Sequence, residues 1–386
     1  MRRRPLLAAL LPAWPASRAI AKDDAAASAP ALGVTHRPLR FPADHGTHPD
    51  THVEWWYVTG WLRAATPTDA PGALPATGTP PAFGFQVTFF RTRTGLAEAS
   101  ASRFAARQLV IAHVALTDLA AGAGPALHDQ RAAREGFGLA TTPASAGAQV
   151  VSLGDWSLTR RAAADGAASA LSIAVRADRF ALDLALAGTQ AVLLQGDAGF
   201  SRKGPKPDEA SHYYSEPQLA ARGRIERAGA PAREVVGRAW LDHEWSNRYL
   251  PDDGYGWDWI GFDFSDGSAL MAFRIRRQDG SALWAGGSLR DAAGRLRDFS
   301  PDEVVFRPLR HWTSPRTHIA WPIEMQLETP AGRFRVVALQ DDQELDSRNS
   351  TGSVYWEGLA ALQPEQGPVA GWGYLELTGY GDRLKL

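Results

Sequence analysis

The feature that most constrains this chain is the rhythm of its apolar residues. From His36 onward they come in short runs, many alternating with polar residues, and Gly, Pro, Asp and Asn break the runs apart. Nothing sustains a helical period of 3.6 over several turns. Alternation at period 2 sends successive side chains to opposite faces of a strand, so the chain predicts an all-β protein. Strands are expected at 52–63, 83–92, 108–117, 148–159, 169–176, 180–186 and 191–195. A second set is expected at 222–228, 235–242, 256–264, 269–277, 283–289, 318–327, 333–339, 353–361 and 369–379. Short helices are expected within 97–107 and 127–135. At 386 residues the chain exceeds one ordinary core. Two sets of about eight strands suggest two antiparallel β-barrels packed side by side, each with room inside for side chains or one small ligand. Gly199 to Glu216 reads as the crossing between them, with the division near 217–235.

The N-terminus speaks to compartment. Arg2, Arg3 and Arg4 precede an apolar run from Pro5 to Trp14, and Ala19-Ile20-Ala21 forms an A-x-A site. The expected organisation is a signal peptide over 1–21, a lead-in over 22–35, an N-terminal barrel over 36–216 and a C-terminal barrel over 217–386. That implies a periplasmic or secreted protein. Cysteine is absent, which removes disulfides, thiolate metal sites and a cysteine nucleophile. The formal net charge of −1 argues against nucleic acid as a partner.

Fourteen Trp are concentrated in a few stretches. In "EWWYVTGWL" one face carries Glu54, Trp56, Val58, Gly60 and Leu62, and the other Trp55, Tyr57, Thr59 and Trp61. Both faces are apolar, as for a barrel strand whose outside packs on a second barrel. Glu54 would then be buried and need a partner, either Arg91 or Arg93. In "GRAWLDHEWSNRYL" Asp242 and Glu244 share one face, His243 and Trp245 the other. A salt-bridged corner of Arg238, Asp242, Glu244 and Arg248 is the structural alternative there. In "GYGWDWIGFDF" Asp258 lies on the face of Ile260 and Phe262, and Asp263 on that of Trp257 and Trp259. Asp266-Gly267 reads as a hairpin turn. His45, His48, His52 and Glu54 match no standard metal-ligand spacing, so they are expected to order a loop, with no metal and no cofactor. A G-x-S-x-G elbow, H-E-x-x-H, a P-loop and a dinucleotide fingerprint are all missing.

The stretches "FPADHGTHPDTHVEWWYVTGWL", "GFQVTFFR", "HYYSEPQL", "WLDHEWS", "GWDWIGFDF", "LMAFRIR", "YWEG" and "GYLELTGY" run in order from about His36 to Tyr380. Together they resemble the AttH-type lipocalin-like family, which includes relatives of carotenoid 1,2-hydratase (hydroxyneurosporene synthase) and proteins labelled secreted hydrolases. The resemblance implies two lipocalin-like barrels and is similar in build to fungal enzymes of pericyclic cyclisation. The hydratase adds water to an alkene without a cofactor, and its catalytic His and Trp fall on His243 and Trp245, preceded by Asp242. Its following-strand Tyr and Asp have no match in Met271–Ile275, which leaves Asp258 as the substitute acid. Trp55, Tyr57, Trp257, Trp259 and Tyr214 complete the expected site as ligand-binding aromatics. Two functions follow as expectations. One is a cofactor-free hydro-lyase or isomerase acting on a polyene or isoprenoid. The other is a periplasmic lipid- or isoprenoid-binding protein serving an ABC transport system.

Overall fold

Alternation becomes two sheets. The computed structural model describes residues 34–75, 80–96, 99–122, 124–143, 149–161 and 169–384, and the signal-peptide region 1–21 and nearly all of the lead-in lie outside them. The first sheet holds β1 (Val53–Ala64), β2 (Phe83–Arg93), β3 (Gln108–Asp118), β4 (Leu127–Arg134), β5 (Ala140–Thr141), β6 (Gln149–Leu153) and β7 (Trp156–Arg161). It continues with β8 (Ala170–Arg176), β9 (Phe180–Ala187), β10 (Leu193–Leu194), β11 (Phe200–Arg202), β12 (Ala210–Arg227) and β13 (Ala230–Ser246). Its order is β4-β3-β2-β1-β13-β12-β9-β8-β7-β6-β5, with β10 and β11 also pairing β12. The second sheet holds β14 (Gly256–Phe264), β15 (Ala269–Arg276), β16 (Ala282–Arg290), β17 (Leu296–Phe299) and β18 (Val305–Thr313). Then come β19 (Ala320–Thr329), β20 (Gly332–Ala338), β21 (Glu344–Ser347), β22 (Ser353–Pro364) and β23 (Gly371–Leu377). All pairings are antiparallel, and each sheet curls into a nearly closed, lipocalin-like barrel.

Three local expectations are corrected. Leu127–Arg134 is a strand paired to β3, not a helix, because the ladder with β3 outweighs the helix preference of its Ala, Arg and Gln residues. Residues 99–107 form turns. The sheets change over between Ser246 and Gly256, later than 217–235, and β12 and β13 pair with β9 and β1 in the first sheet.

The aromatic run of β1 serves two cores. Trp56, Val58 and Leu62 point into the first barrel with Phe85, Phe89 and Leu241. Tyr57 and Trp61 point the other way, into a third core between the barrels with Trp240, Trp259 and Phe273. Ile260, Phe262, Trp321 and Trp356 fill the second barrel. Full burial of one large apolar side chain stabilises by roughly 1.5–3 kcal/mol, so the shared wall holds the barrels together strongly. Gly84 of β2 makes the closest approach possible: a Cβ there would lie 2.8 Å from the Tyr374 hydroxyl and 2.9 Å from Leu359 Cβ. Polar ties cross the same seam, including His113 Nδ1 with the Tyr355 hydroxyl at 2.7 Å.

Candidate functional site

A cavity opens within this shared wall. Its atom-free space is about 880 Å³ counted out to solvent at the mouth, of which about 80 Å³ admits the centres of water-sized spheres. It is therefore narrow, suited to a slender or flat group. Trp55 and Phe90, opposite each other on β1 and β2, form one wall. Trp259 and Phe273, opposite each other on β14 and β15, form the facing one. Trp257, Tyr57 and Tyr355 add further aromatic surface.

Four carboxyl groups line these walls. Asp242 and Glu244 come from the outward face of β13, Glu357 from β22 and Glu376 from β23. Glu357 and Glu376 are direct cross-strand partners. Asp242 accepts hydrogen bonds from the Tyr213 hydroxyl at 2.8 Å, Ser215 Oγ at 2.6 Å and Trp240 Nε1 at 2.7 Å. Tyr213 in turn accepts one from Trp259 Nε1 of the other barrel at 3.1 Å. Glu244 is held by Ser211 and by Lys203 Nζ at 2.9 Å.

Burial dominates the titration of this set. It raises Asp242 to about 7 against the pull of its three donors, with Glu244 adding to the rise. It raises Glu376 to about 8, opposed by Trp257 and reinforced by Asp242 and Glu244. Glu376 keeps some accessible surface, and that side chain lines the cavity. Glu357 goes well above the ordinary carboxylate range through burial and then through Glu376. The pair thus retains protons near neutral pH. The Tyr57 hydroxyl, also buried against the cavity, lies beside the Glu357 carboxyl and works against this rise without cancelling it.

The cavity gathers Asp242, Trp55, Tyr57, Trp257 and Trp259 of the expected site. His243, Trp245, Tyr214 and Asp258 lie elsewhere, because strand alternation turns each of them into a barrel interior. His243 Nε2 bonds Glu54 at 2.9 Å and its Nδ1 meets the Tyr214 hydroxyl at 3.1 Å. Trp245 stacks on His48 with centroids 3.7 Å apart. Asp258 is fully buried, bound to Arg274 Nε at 2.9 Å, Arg276 Nε at 3.0 Å and the Tyr380 hydroxyl at 2.9 Å. Its carboxyl oxygens are taken up by two arginines and a tyrosine, and His243 is not among its partners. The salt-bridged corner is absent as well: Arg238 bonds Gln218 and the carbonyls of Pro75 and Phe264, and Arg248 pairs with Asp252.

Glu54 finds Arg91, whose Nε is 2.9 Å away. Around it, His48, Glu54 and His243 offer ligand atoms all within 4.8 Å of one another, a convergence that linear spacing had hidden. The donor chemistry favours an ion-pair cluster over a metal. Glu54 already accepts from Arg91, both histidines and the His48 amide, and a guanidinium beside the same carboxylate opposes a second cation. Burial lowers His243 to about 4. Burial also pulls His48 down, but hydrogen bonds to Asp44 and Glu54 reverse this and leave it raised. Burial works against ionisation of Glu54, and hydrogen bonds from His243 and His48 overcome it, holding the carboxyl well below its usual range.

The missed residues are Glu357 and Glu376. Each is a lone carboxyl in an otherwise apolar strand, the same signal that marked Glu54 and Asp258.

Comparison with known proteins agrees with this architecture. A candidate AttH from Nitrosomonas europaea is 45% identical with a TM-score of 0.78, over 91% of this chain and 99% of its own. Kievitone hydratase from Nectria haematococca shares the fold at 15% identity and a TM-score of 0.63, over 89% of this chain and 93% of its own. CghA does so at 13% and 0.54, over 92% and 96%. Among curated proteins nothing matches. The family model described as AttH-like matches residues 33–380, and the chain belongs to the AttH-like family.

Proposed function

We propose that the protein carries out cofactor-free proton-transfer chemistry, hydration or isomerisation of a double bond in an apolar isoprenoid or polyene, within the cavity between its barrels. The observation that carries this reading is the buried pair Glu357–Glu376 facing aromatic walls. A carboxyl that keeps its proton near neutral pH is a general acid, and the same group once ionised is a base. The proton of Glu376 passes to one alkene carbon, and the π electrons form the new C–H bond. The cation left on the other carbon faces Trp and Phe rings, each worth roughly 0.5–2 kcal/mol to a positive charge. Hydration follows when a water oxygen forms the C–O bond and its proton returns to the carboxylate. Isomerisation follows when a neighbouring carbon releases a proton to that carboxylate and the C–H electrons form the new double bond. The fold likeness to a hydratase supports the reading only as architecture.

A second reading keeps the cavity and drops the chemistry: an apolar molecule is carried, unmodified, for an ABC transport system. The aromatic walls favour it equally. Export belongs to both readings and rests on the N-terminal pattern, and the N-terminal residue of protein recovered from its host tests it.

Incubation with linear isoprenoid alkenes in heavy water separates the two. The enzyme reading expects deuterium on alkene carbons, at a rate that falls as pH rises past about 8 and Glu376 loses its proton. Glu376→Gln should lower the rate by about 10²–10⁴-fold. Tight binding with no deuterium gained would leave only the carrier.

A further inference from the structure

The cavity holds more carboxyl groups than proton transfer alone requires. Asp242, Glu244, Glu357 and Glu376 face it, against the single ammonium of Lys203. Lys203 Nζ is paired with Glu244 at 2.9 Å and lies over two rings, 4.5 Å from the Phe273 centroid and 4.8 Å from that of Tyr213. One ammonium of the chain itself thus already sits between a carboxylate and aromatic faces, within the ~6 Å at which such rings attract a cation. The other side of the cavity has no equivalent. Among the described residues Glu357 and Glu376 form no ion pair, and Glu357 is buried against the Tyr57 hydroxyl with no cation beside it. A buried carboxyl is costly to ionise unless a cation supplies the countercharge.

We propose that the cavity binds an apolar organic molecule bearing an ammonium group, its cation seated against the Glu357–Glu376 pair and the faces of Trp257 and Trp259. The proposal rests on the same cavity as the proton-transfer reading and names what it recognises most tightly: a fixed positive charge on an apolar body. A cation arriving there favours the ionised form, so the pair gives up a proton to solvent as the ligand binds. A carboxylate beside aromatic faces suits an alkylated ammonium better than a primary one, whose three N–H groups demand hydrogen bonds. An alkylated ammonium loses less hydration on entering a narrow apolar space. A ligand of this kind also resembles, in charge and shape, the cation that alkene protonation would create, so it should inhibit any turnover.

The test uses benzyltrimethylammonium and its neutral carbon analogue, neopentylbenzene, titrated against the full chain by quenching of tryptophan fluorescence. The expected result is ammonium binding at least tenfold tighter than that of the neutral analogue. Glu357→Gln/Glu376→Gln should bring the ratio close to one, with a retained unfolding midpoint showing that the barrels are intact. Trp257→Leu, which keeps every carboxyl, should weaken the ammonium more than the neutral compound. Equal affinity for the two compounds in the unaltered protein would overturn the proposal and leave an apolar alkene site standing. Binding of the neutral compound alone would do the same. Binding of neither would overturn the proposal, and deuterium uptake would then decide the proton-transfer reading separately.

Discussion

Asp242 and His243 are neighbours in the chain and inhabit different places. The first faces the inter-barrel cavity and the second the interior of the first barrel, as alternation along β13 requires. "WLDHEWS" therefore looks like one constellation only when read as a string. The family resemblance drew His243 and Trp245 into the site, although the alternation visible in the sequence already separated them from Asp242. The need of Glu54 for a partner was legible, and so was Arg91 as one of two choices. The pairing of Glu357 with Glu376 was not, because it depends on the register of two strands, which no local pattern states. His243→Ala tests the distinction between site and plug. The sequence reading expects lost turnover at an almost unchanged melting temperature. The geometry expects the reverse, since the buried Glu54 would lose one hydrogen-bond donor, at a cost of about 1.5–3 kcal/mol. Chemical denaturation measures this, with ligand binding in the cavity retained wherever the protein remains folded.

At the level of elements, long strands with strong alternation were readable to within a few residues, as in β1, β2, β3 and β14. β4 was not, because "LHDQRAAR" carries no alternation and takes its strand form from pairing with β3. The long hairpin of β12 and β13 was assigned to the wrong barrel for a similar reason. Its chain position lies midway, and hydrogen bonding to β1 and β9 decides its membership. The contact between the two sheets is sensitive to side-chain size where β2 meets β22 and β23 at Gly84. Gly84→Val should push Leu359 and Tyr374 away, lowering stability by about 1–3 kcal/mol. Binding of apolar dyes in the cavity should also fall, because the same two sheets form its walls. A substitution without effect on either readout would mean that the barrels do not approach as closely as described.

The whole molecule repeats one device. In each barrel a buried carboxylate on the first strand of a hairpin faces an arginine on the second: Glu54 opposite Arg91, and Asp258 opposite Arg274. One residue further along each strand pair, toward the outside, come the cavity walls, Trp55 opposite Phe90 and Trp259 opposite Phe273. The ionic groups are spent on holding barrel interiors, and the acids left in the shared wall are those without arginine partners. That division is why the proposed function lies between the barrels. It rests on Glu357 and Glu376 holding protons where ordinary glutamates do not. Carbon-13 NMR of protein labelled at the glutamate side-chain carboxyls reads this directly, with Glu357→Gln and Glu376→Gln assigning the signals. The account expects the pair to titrate in two coupled steps, with Glu376 near pH 8 and Glu357 well above the ordinary carboxylate range. Two signals both titrating near the ordinary glutamate value of about 4.3 would contradict it.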